Sequence, residues 1–225
     1  MRKDTVVITG SNGLIGSDLA SNMKAKYKVN RLSLSLGHDL TNEDFVKEYF
    51  FQNDAEYLVN CFGYNDHIDK TKNKDGIMDV TLESINKYLL VNVLALFSVC
   101  REFAKNPKSK GIVNISSIYG QVSPKKVLYG KSEKHIGYSI SKAAVNQMTR
   151  HLATHLAPKI RVNCISLGGI EHNQGSDFIE KYSQEVPMRR MMQTDEVFGI
   201  INYLCSDKST YTTGSIINID GGWTS

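Results

Sequence analysis

The 225-residue chain is 41% hydrophobic and 22% charged, a globular balance with no repeat, low-complexity segment or Pro/Gly/Ser-rich linker, so a single domain is expected. Its formal charge of +4 comes from scattered Lys and Arg residues rather than a basic stripe among aromatics, which argues against nucleic acid as a partner. No uninterrupted apolar run reaches the length of a membrane span, and Met1-Arg2-Lys3-Asp4 leads straight into a strand-like segment with no signal peptide expected. The separated Cys61, Cys100, Cys164 and Cys205 lack metal or redox spacing, so buried thiols, no metal and a cytoplasmic setting are the expectation.

Short β-branched runs alternate with longer amphipathic stretches along the chain. Strands are expected at residues 6–8, 28–32, 57–61, 111–116, 160–165 and 215–219, and helices at 16–26, 82–104, 138–156 and 194–205. This is the α/β pattern of a Rossmann-type, doubly wound parallel sheet covered on both faces, a three-layer α/β/α arrangement. Only a few residues separate the second strand from His38-Asp39-Leu40, against the dozen or so of a helical crossover, so the helix there should be missing or vestigial.

Directly after the first strand stands Thr9-Gly10-Ser11-Asn12-Gly13-Leu14-Ile15-Gly16, and a helix follows at once. In that context Gly10 permits a tight turn, Gly13 lets the backbone approach a pyrophosphate, and Gly16 lets the helix pack on the strand. The alternative is a strand-to-helix turn without a ligand. The second strand ends Asn30-Arg31-Leu32-Ser33, without the carboxylate that would bind the ribose of NAD(H). Arg31 and Ser33 are suited instead to a 2′-phosphate, which favours NADP(H), unless Arg31 is simply a solvated strand residue. Asp39, with Leu40 beside it, is expected to approach the adenine from the next strand end, and Asn60, Cys61 and Gly63 to line the cofactor after the third strand.

Further on, Asn92 is a polar side chain inside Leu89-Leu90-Val91-Asn92-Val93-Leu94. It is either a satisfied buried amide or the mark of a backbone distortion that relays protons. Ile112-Val113-Asn114-Ile115-Ser116-Ser117 is an apolar strand ending in two hydroxyls, at the end where open α/β sheets place ligands. Tyr138 and Lys142, four apart at the head of a helix, share one face. That is either an ordinary surface face or a pair in which the ammonium lowers the phenol pKa so that Tyr138 serves as acid and base.

Thr9–Gly16, Asp39, Asn60 to Gly63, Asn92, Ser117, Tyr138 with Lys142, Gly168-Gly169 and Asp220-Gly221-Gly222-Trp223 occur in one order across nearly the whole chain. That ordered set resembles the short-chain dehydrogenase/reductase family. The resemblance implies a catalytic tetrad of Asn92, Ser117, Tyr138 and Lys142, with Lys142 also holding the nicotinamide ribose. It implies hydride transfer between nicotinamide and a carbonyl or alcohol carbon, and cofactor contacts from Gly168, Gly169 and Ile170. It also implies a homotetramer or homodimer built through the helices containing Asn92 and Tyr138.

Three departures stand out. Leu167 replaces a proline usual in the family, Glu171-His172-Asn173 replaces a usual threonine, and Asn60-Cys61-Phe62-Gly63 adds bulk where the family has NNAG. The segment 118–137 is longer than usual and carries Tyr119, Gln121, Pro124, Lys125, Lys126, Tyr129, Lys131, Lys134 and His135. It is read either as a solvated loop or as a surface for an anionic or sugar-bearing substrate. With residues 171–190 as a lid, including Arg189 and Arg190 as anion contacts or rim residues, the chain resembles a subgroup linked to flagellin and polysaccharide sugar (legionaminic acid-type) biosynthesis. The expected activity is therefore an oxidoreductase acting on a sugar or sugar nucleotide. The alternatives are a 3-oxoacyl-carrier-protein reductase and a non-catalytic cofactor-binding sensor or scaffold.

Overall fold

The structure, a computed structural model, describes residues 3–66, 77–129 and 133–225. Lys131, named above in the segment before Tyr138, lies outside the described residues. The chain begins with β1 (Thr5–Thr9), α1 (Leu14–Met23), β2 (Lys28–Leu32), α2 (Glu43–Gln52) and β3 (Tyr57–Asn60). A continuous helical segment follows as α3 (Leu82–Leu89), a π-helical turn (Leu90–Ala95) and α4 (Leu96–Lys105). Then come β4 (Gly111–Ser117), the short α5 (Lys126–Tyr129), α6 (Ile136–Leu156), β5 (Arg161–Leu167), α7 (Ser176–Glu185), α8 (Phe198–Leu204) and β6 (Ile216–Ile219).

Among the described residues the strands form one parallel sheet in the order β2-β1-β3-β4-β5-β6. Period-two alternation sorts its side chains onto two faces. Val7, Leu58, Ile112 and Val162 pack with Val46 and Phe50 of α2, Val99 and Phe103 of α4, and Val145 and Leu152 of α6. Val6, Ile8, Val59, Val113 and Ile165 pack on the other face with Leu19 and Met23 of α1 and Ile201 and Leu204 of α8. The chain winds outward from β1 to β2 and then crosses to β3 on the other side, so a crevice opens above the carboxyl ends of β1 and β3, the switch point where open α/β sheets bind ligands.

The expected strands agree with the observed ones to within a few residues. As expected, the stretch after β2 holds only a single 3-10 turn, Leu34–Leu36. The strand anticipated at Asp39 is absent as well, so Asp39 sits in a loop and β2 is the sheet edge. The helix α2 was not anticipated, although Asn42 caps it by accepting from the amides of Asp44 at 3.1 Å and Phe45 at 3.2 Å. The segment Leu82–Lys105 is long and apolar enough by composition to cross a membrane. Here it is instead a layer of the fold, burying Tyr88, Asn92, Val99, Cys100 and Phe103.

A polar ladder crosses the apolar sheet. The Thr9 hydroxyl donates to Asn60 Oδ1 at 3.0 Å, Asn60 Nδ2 donates to Asn114 Oδ1 at 2.9 Å, and Asn114 Nδ2 donates to Thr149 Oγ1 at 3.0 Å. It ties β1, β3, β4 and α6 together in a region where an unmade hydrogen bond is costly. The Asn60 side chain is therefore turned into the sheet rather than toward the crevice. Asn60→Ala removes the shorter bond of Thr9, which keeps only Val59 O at 3.4 Å, and the amide bond to Asn114, and a loss of about 1–3 kcal/mol is expected, read as a lowered urea midpoint with an unchanged slope.

Candidate active site

The first wall of the crevice is the loop after β1. Gly10 has φ +64°, and a Cβ on it would stand 2.5 Å from the Phe62 amide nitrogen of the loop after β3. A Cβ on Gly16 would stand 2.2 Å from the Gly10 carbonyl oxygen. Glycine is thus required at both positions for the two loops and α1 to meet. Gly13 is the N-cap of α1 and places no side chain over the helix end, so the amides of Leu14, Ile15 and Gly16 are open to an anion. Ser11 Oγ is buried without a hydrogen-bond partner among the described residues. The glycine cradle and this orphaned hydroxyl fit the pyrophosphate of a dinucleotide.

At the end of β2 the Arg31 guanidinium donates to Ser11 O at 2.7 Å and to Asn12 Oδ1 at 2.6 Å. Arg31 therefore braces the glycine loop and is not the solvated residue considered above. Asn12 Nδ2 donates to Ser35 Oγ at 2.7 Å, which lies 3.2 Å from Ser33 Oγ. Asp39 is exposed, and its Oδ1 accepts from the Thr41 hydroxyl and amide, bonds that hold its carboxyl below the usual range. The Leu40 side chain packs into the core beside Val7 and Val46, so it is turned away from the crevice.

Beyond β3, a Cβ on Gly63 would lie 3.4 Å from Asn92 Oδ1 and 3.6 Å from Lys142 Nζ, so both polar groups border the space over this glycine. Asn92 sits in the π turn, a distortion of the kind frequent at functional sites. Its Oδ1 accepts from the Tyr64 amide at 2.6 Å, and its Nδ2 donates to Tyr64 O at 3.0 Å and Ser141 Oγ at 2.9 Å. The Ser141 hydroxyl in turn donates to Tyr138 O at 2.8 Å. Asn92 thereby connects the π turn, the loop after β3 and the head of α6.

On α6, Lys142 Nζ donates to Ile115 O at 3.1 Å, and the Ser116 hydroxyl donates to Lys142 O at 3.1 Å. Ser117 ends β4, is buried, and accepts the Tyr119 amide at 3.2 Å. The anticipated depression of the Tyr138 pKa is not found in the protein alone. Burial pushes the phenol up, opposed by the neighbouring Ser117 hydroxyl, while burial pushes the Lys142 ammonium down to about 8. Desolvation outweighs mutual charge here because Lys142 Nζ is held by Ile115 O and lies 5.7 Å from the Tyr138 ring centroid.

Sequence reasoning missed Gly120. A Cβ there would stand 2.6 Å from the Lys142 carbonyl carbon, so glycine lets the turn after β4 rest on the α6 backbone beside Lys142. A lone glycine in an insertion gives no sequence signal of that approach.

The segment before Tyr138 folds with α7 and Trp223 into a small aromatic core of Tyr119, Tyr182 and Trp223, against which Tyr129, Tyr138 and Phe178 pack. Tyr129 donates to Tyr119 Oη at 2.9 Å, and Tyr182 stacks on Trp223 with centroids 4.7 Å apart. Gly169 N–H donates to Tyr182 Oη at 2.5 Å, so α7 closes onto the Gly168-Gly169 loop, and Ile170 bridges to Met192. Leu167 continues β5 in register with Ser117 and Ile219, which a proline could not do with its amide in the ladder. Arg189 donates to Gln184 O and Arg190 forms a bidentate pair with Glu196. Of the two readings given for these arginines, anion contacts or rim residues, bonds to Gln184 O and to Glu196 fit the second. A groove of about 530 Å³ lies away from these residues, before β3 and β4, lined by Phe50, Phe51, Glu102 and Asn106.

A family model of short-chain dehydrogenases described as Enoyl-(Acyl carrier protein) reductase matches residues 4–224. The chain is 29% identical to the Post-translational flagellin modification protein A of Campylobacter coli over 215 residues, 92% of this chain and 83% of that protein. It is 28% identical to the 3-oxoacyl-[acyl-carrier-protein] reductase of Aquifex aeolicus, covering 97% of this chain and 86% of that one. Among solved structures it is similar to a short chain dehydrogenase from Leptospira borgpetersenii with bound NAD+, at a TM-score of 0.88 and 29% identity, covering 100% of this chain and 94% of that one.

His135 gives the head of α6 a titration of its own. Its Nδ1 accepts the Gly137 amide at 3.0 Å, its Nε2 lies 3.0 Å from Ser84 Oγ, and its ring stacks on Tyr88 at 4.7 Å. Burial holds the imidazole below its ordinary 6.5. The folded protein therefore binds this proton less readily than the unfolded chain, and the stability it lends is present above 6.5 and lost as pH falls below it. His135→Ala is expected to cost about 1 kcal/mol at neutral pH and to flatten this part of the profile, measured by urea unfolding across the acid range.

Proposed function

Since the chain belongs to the short-chain dehydrogenase/reductase family, we propose that it interconverts a carbonyl and an alcohol on a sugar or sugar nucleotide, with NADP(H) favoured over NAD(H). Such a protein is an NAD(P)-dependent oxidoreductase acting on CH–OH groups. The observation that carries the reading is that Ser117 adjoins the Tyr138 phenol and Lys142 lies 5.7 Å from its ring, with Lys142 Nζ bordering the space over Gly63, at the end of the sheet where the glycine cradle opens.

The nicotinamide, when bound, supplies or accepts the hydride. Leu14, Ile15 and Gly16 hold the pyrophosphate by their amides. Gly63, Gly168, Gly169 and Ile170 border the path to Tyr138, and Lys142 takes the nicotinamide ribose. Ser117 holds the substrate oxygen, and Tyr138 gives up its phenol proton to that oxygen in reduction or recovers it in oxidation. Because burial keeps the phenol protonated, it is ready as the acid of carbonyl reduction. Lys142 keeps a positive charge beside the phenol, and Asn92 fixes the backbone of Tyr64 and the head of α6.

Support for the sugar reading comes from the flagellin-modification relative and from the Gluconobacter oxydans glucose 1-dehydrogenase, 33% identical over 156 residues. The Aquifex relative favours a second reading, a 3-oxoacyl-carrier-protein reductase. Support for NADP(H) comes from the hydroxyls of Ser33 and Ser35 and the absence of a carboxylate ending β2, with Arg31 alongside. Leu90, Leu94 and Phe97, exposed along one helical segment, together with Ile140 on α6, are suited to a homodimer or homotetramer, which a monomeric sedimentation profile would contradict.

A panel of sugar nucleotides, free sugars and acetoacetyl thioesters, assayed with NADPH and with NADH, tests the reading. Turnover of sugar derivatives with the lower KM for NADPH is expected. Thioesters alone would transfer the activity to the second reading, and binding of NADPH without any turnover would favour a sensor. Tyr138→Phe is expected to lower kcat by about 10²–10⁴-fold. Lys142 is charged only below about 8, so the reduction rate is expected to decline as pH rises through that value, and a rate rising there would contradict its role.

A further inference from the structure

Tyr138 has a second cation beside it. Lys134, in the segment leading into α6, places its Nζ 4.4 Å from the Tyr138 ring centroid, nearer than Lys142 at 5.7 Å. Its hydrogen bond runs to the neutral Asn65 Oδ1 at 2.5 Å. Among the described residues no carboxylate pairs with Lys134 or Lys142, and the neighbouring acids are engaged elsewhere. Asp66 accepts the Tyr64 hydroxyl at 2.9 Å, and Glu133 pairs with Lys126 at 3.4 Å.

Lys125, in the same segment, shows what an ordinary lysine does there: it pairs with Glu185 at 2.6 Å. Lys134 has no such partner among the described residues. Burial and the like charge of Lys142 push its ammonium down to about 8, and burial also holds the neighbouring phenol neutral. Two ammonium groups beside one phenol, with no counter-charge among the described residues, favour the entry of an anion. The pyrophosphate cradle at the head of α1 is built from other residues, so the anion missing here belongs on the substrate side.

We propose that Lys134 is a specificity-determining residue that binds a carboxylate or phosphoryl group of the substrate next to the carbon that reacts, so that acidic carbonyl or alcohol compounds are taken in preference to neutral ones. The inference rests on the oxidoreductase reading of Tyr138 and names what that site selects. Arg189 and Arg190 are bonded instead to Gln184 O and to Glu196.

Calorimetric titration of benzoate, inorganic phosphate and neutral benzamide into the full-length protein, with and without NADPH, tests it. The wild type is expected to bind at least one of the two anions, and Lys134→Met to weaken that binding by about tenfold or more. Lys134→Arg should retain it, and benzamide should not distinguish the three proteins. Benzoate binding alone assigns a carboxylate, and phosphate binding alone a phosphoryl group. Equal anion affinity in the wild type and Lys134→Met, or no anion binding by the wild type, overturns the proposal. If NADPH binds normally while those results hold, the oxidoreductase reading survives and only this inference fails. If anion binding depends on Lys134 but NADPH does not bind, the oxidoreductase reading is the one that fails.

Discussion

The Lys142 ammonium is buried against Ile115 O with no carboxylate among the described residues to neutralise it, and desolvation makes that a costly place for a charge. Its position is fixed from several directions. Ser116 holds the Lys142 carbonyl, Gly120 brings the turn after β4 against the same peptide, and Ser141 joins the next residue back to Asn92 and the π turn. A protein tolerates such a charge when surrounding structure over-determines it, and function is where strain of this kind collects. The unfavourable ammonium is thus the center to which the loops after β3 and β4 and the head of α6 are fitted.

Much of this was legible in the sequence because each feature had its own physical signature. Val6 to Ile8 and Ile112 to Ile115 read as buried parallel strands, and Gly10 and Gly16 proved to be positions where a Cβ would collide with backbone. Asn92 within an apolar run signalled the π distortion that is observed. What stayed hidden depends on contacts between segments far apart in sequence. Nothing near Gly120 announces its approach to Lys142, and Asn60 reads as a ligand-facing residue until its bond to Asn114, 54 positions away, turns it inward. The sign of the Tyr138 shift was also misjudged, because a spacing of four conveys proximity to Lys142 but says nothing of the burial that outweighs it.

The departures from the usual pattern fall at the two ends of the crevice. At one side the sheet stops at β2, and the stretch through Asp39 is loop, with Arg31, Ser33 and Ser35 among the polar groups there. Near Tyr138 the added segment contributes Tyr119 and Tyr129 to a core shared with Tyr182 of α7 and Trp223. Tyr182 and the added segment thus belong to one packed cluster. Residues 118–129 are more than a solvated loop, and Lys134 and His135 enter the site from the same segment.

A crystal structure of the protein with bound NADP+ tests the placement of the chemistry most directly. The expected result has the pyrophosphate on the amides of Leu14 to Gly16, the nicotinamide ribose within hydrogen-bond distance of Lys142 Nζ, and the nicotinamide ring facing the Tyr138 hydroxyl. A cofactor whose nicotinamide points away from Tyr138, with Lys142 still bonded only to Ile115 O, would contradict it.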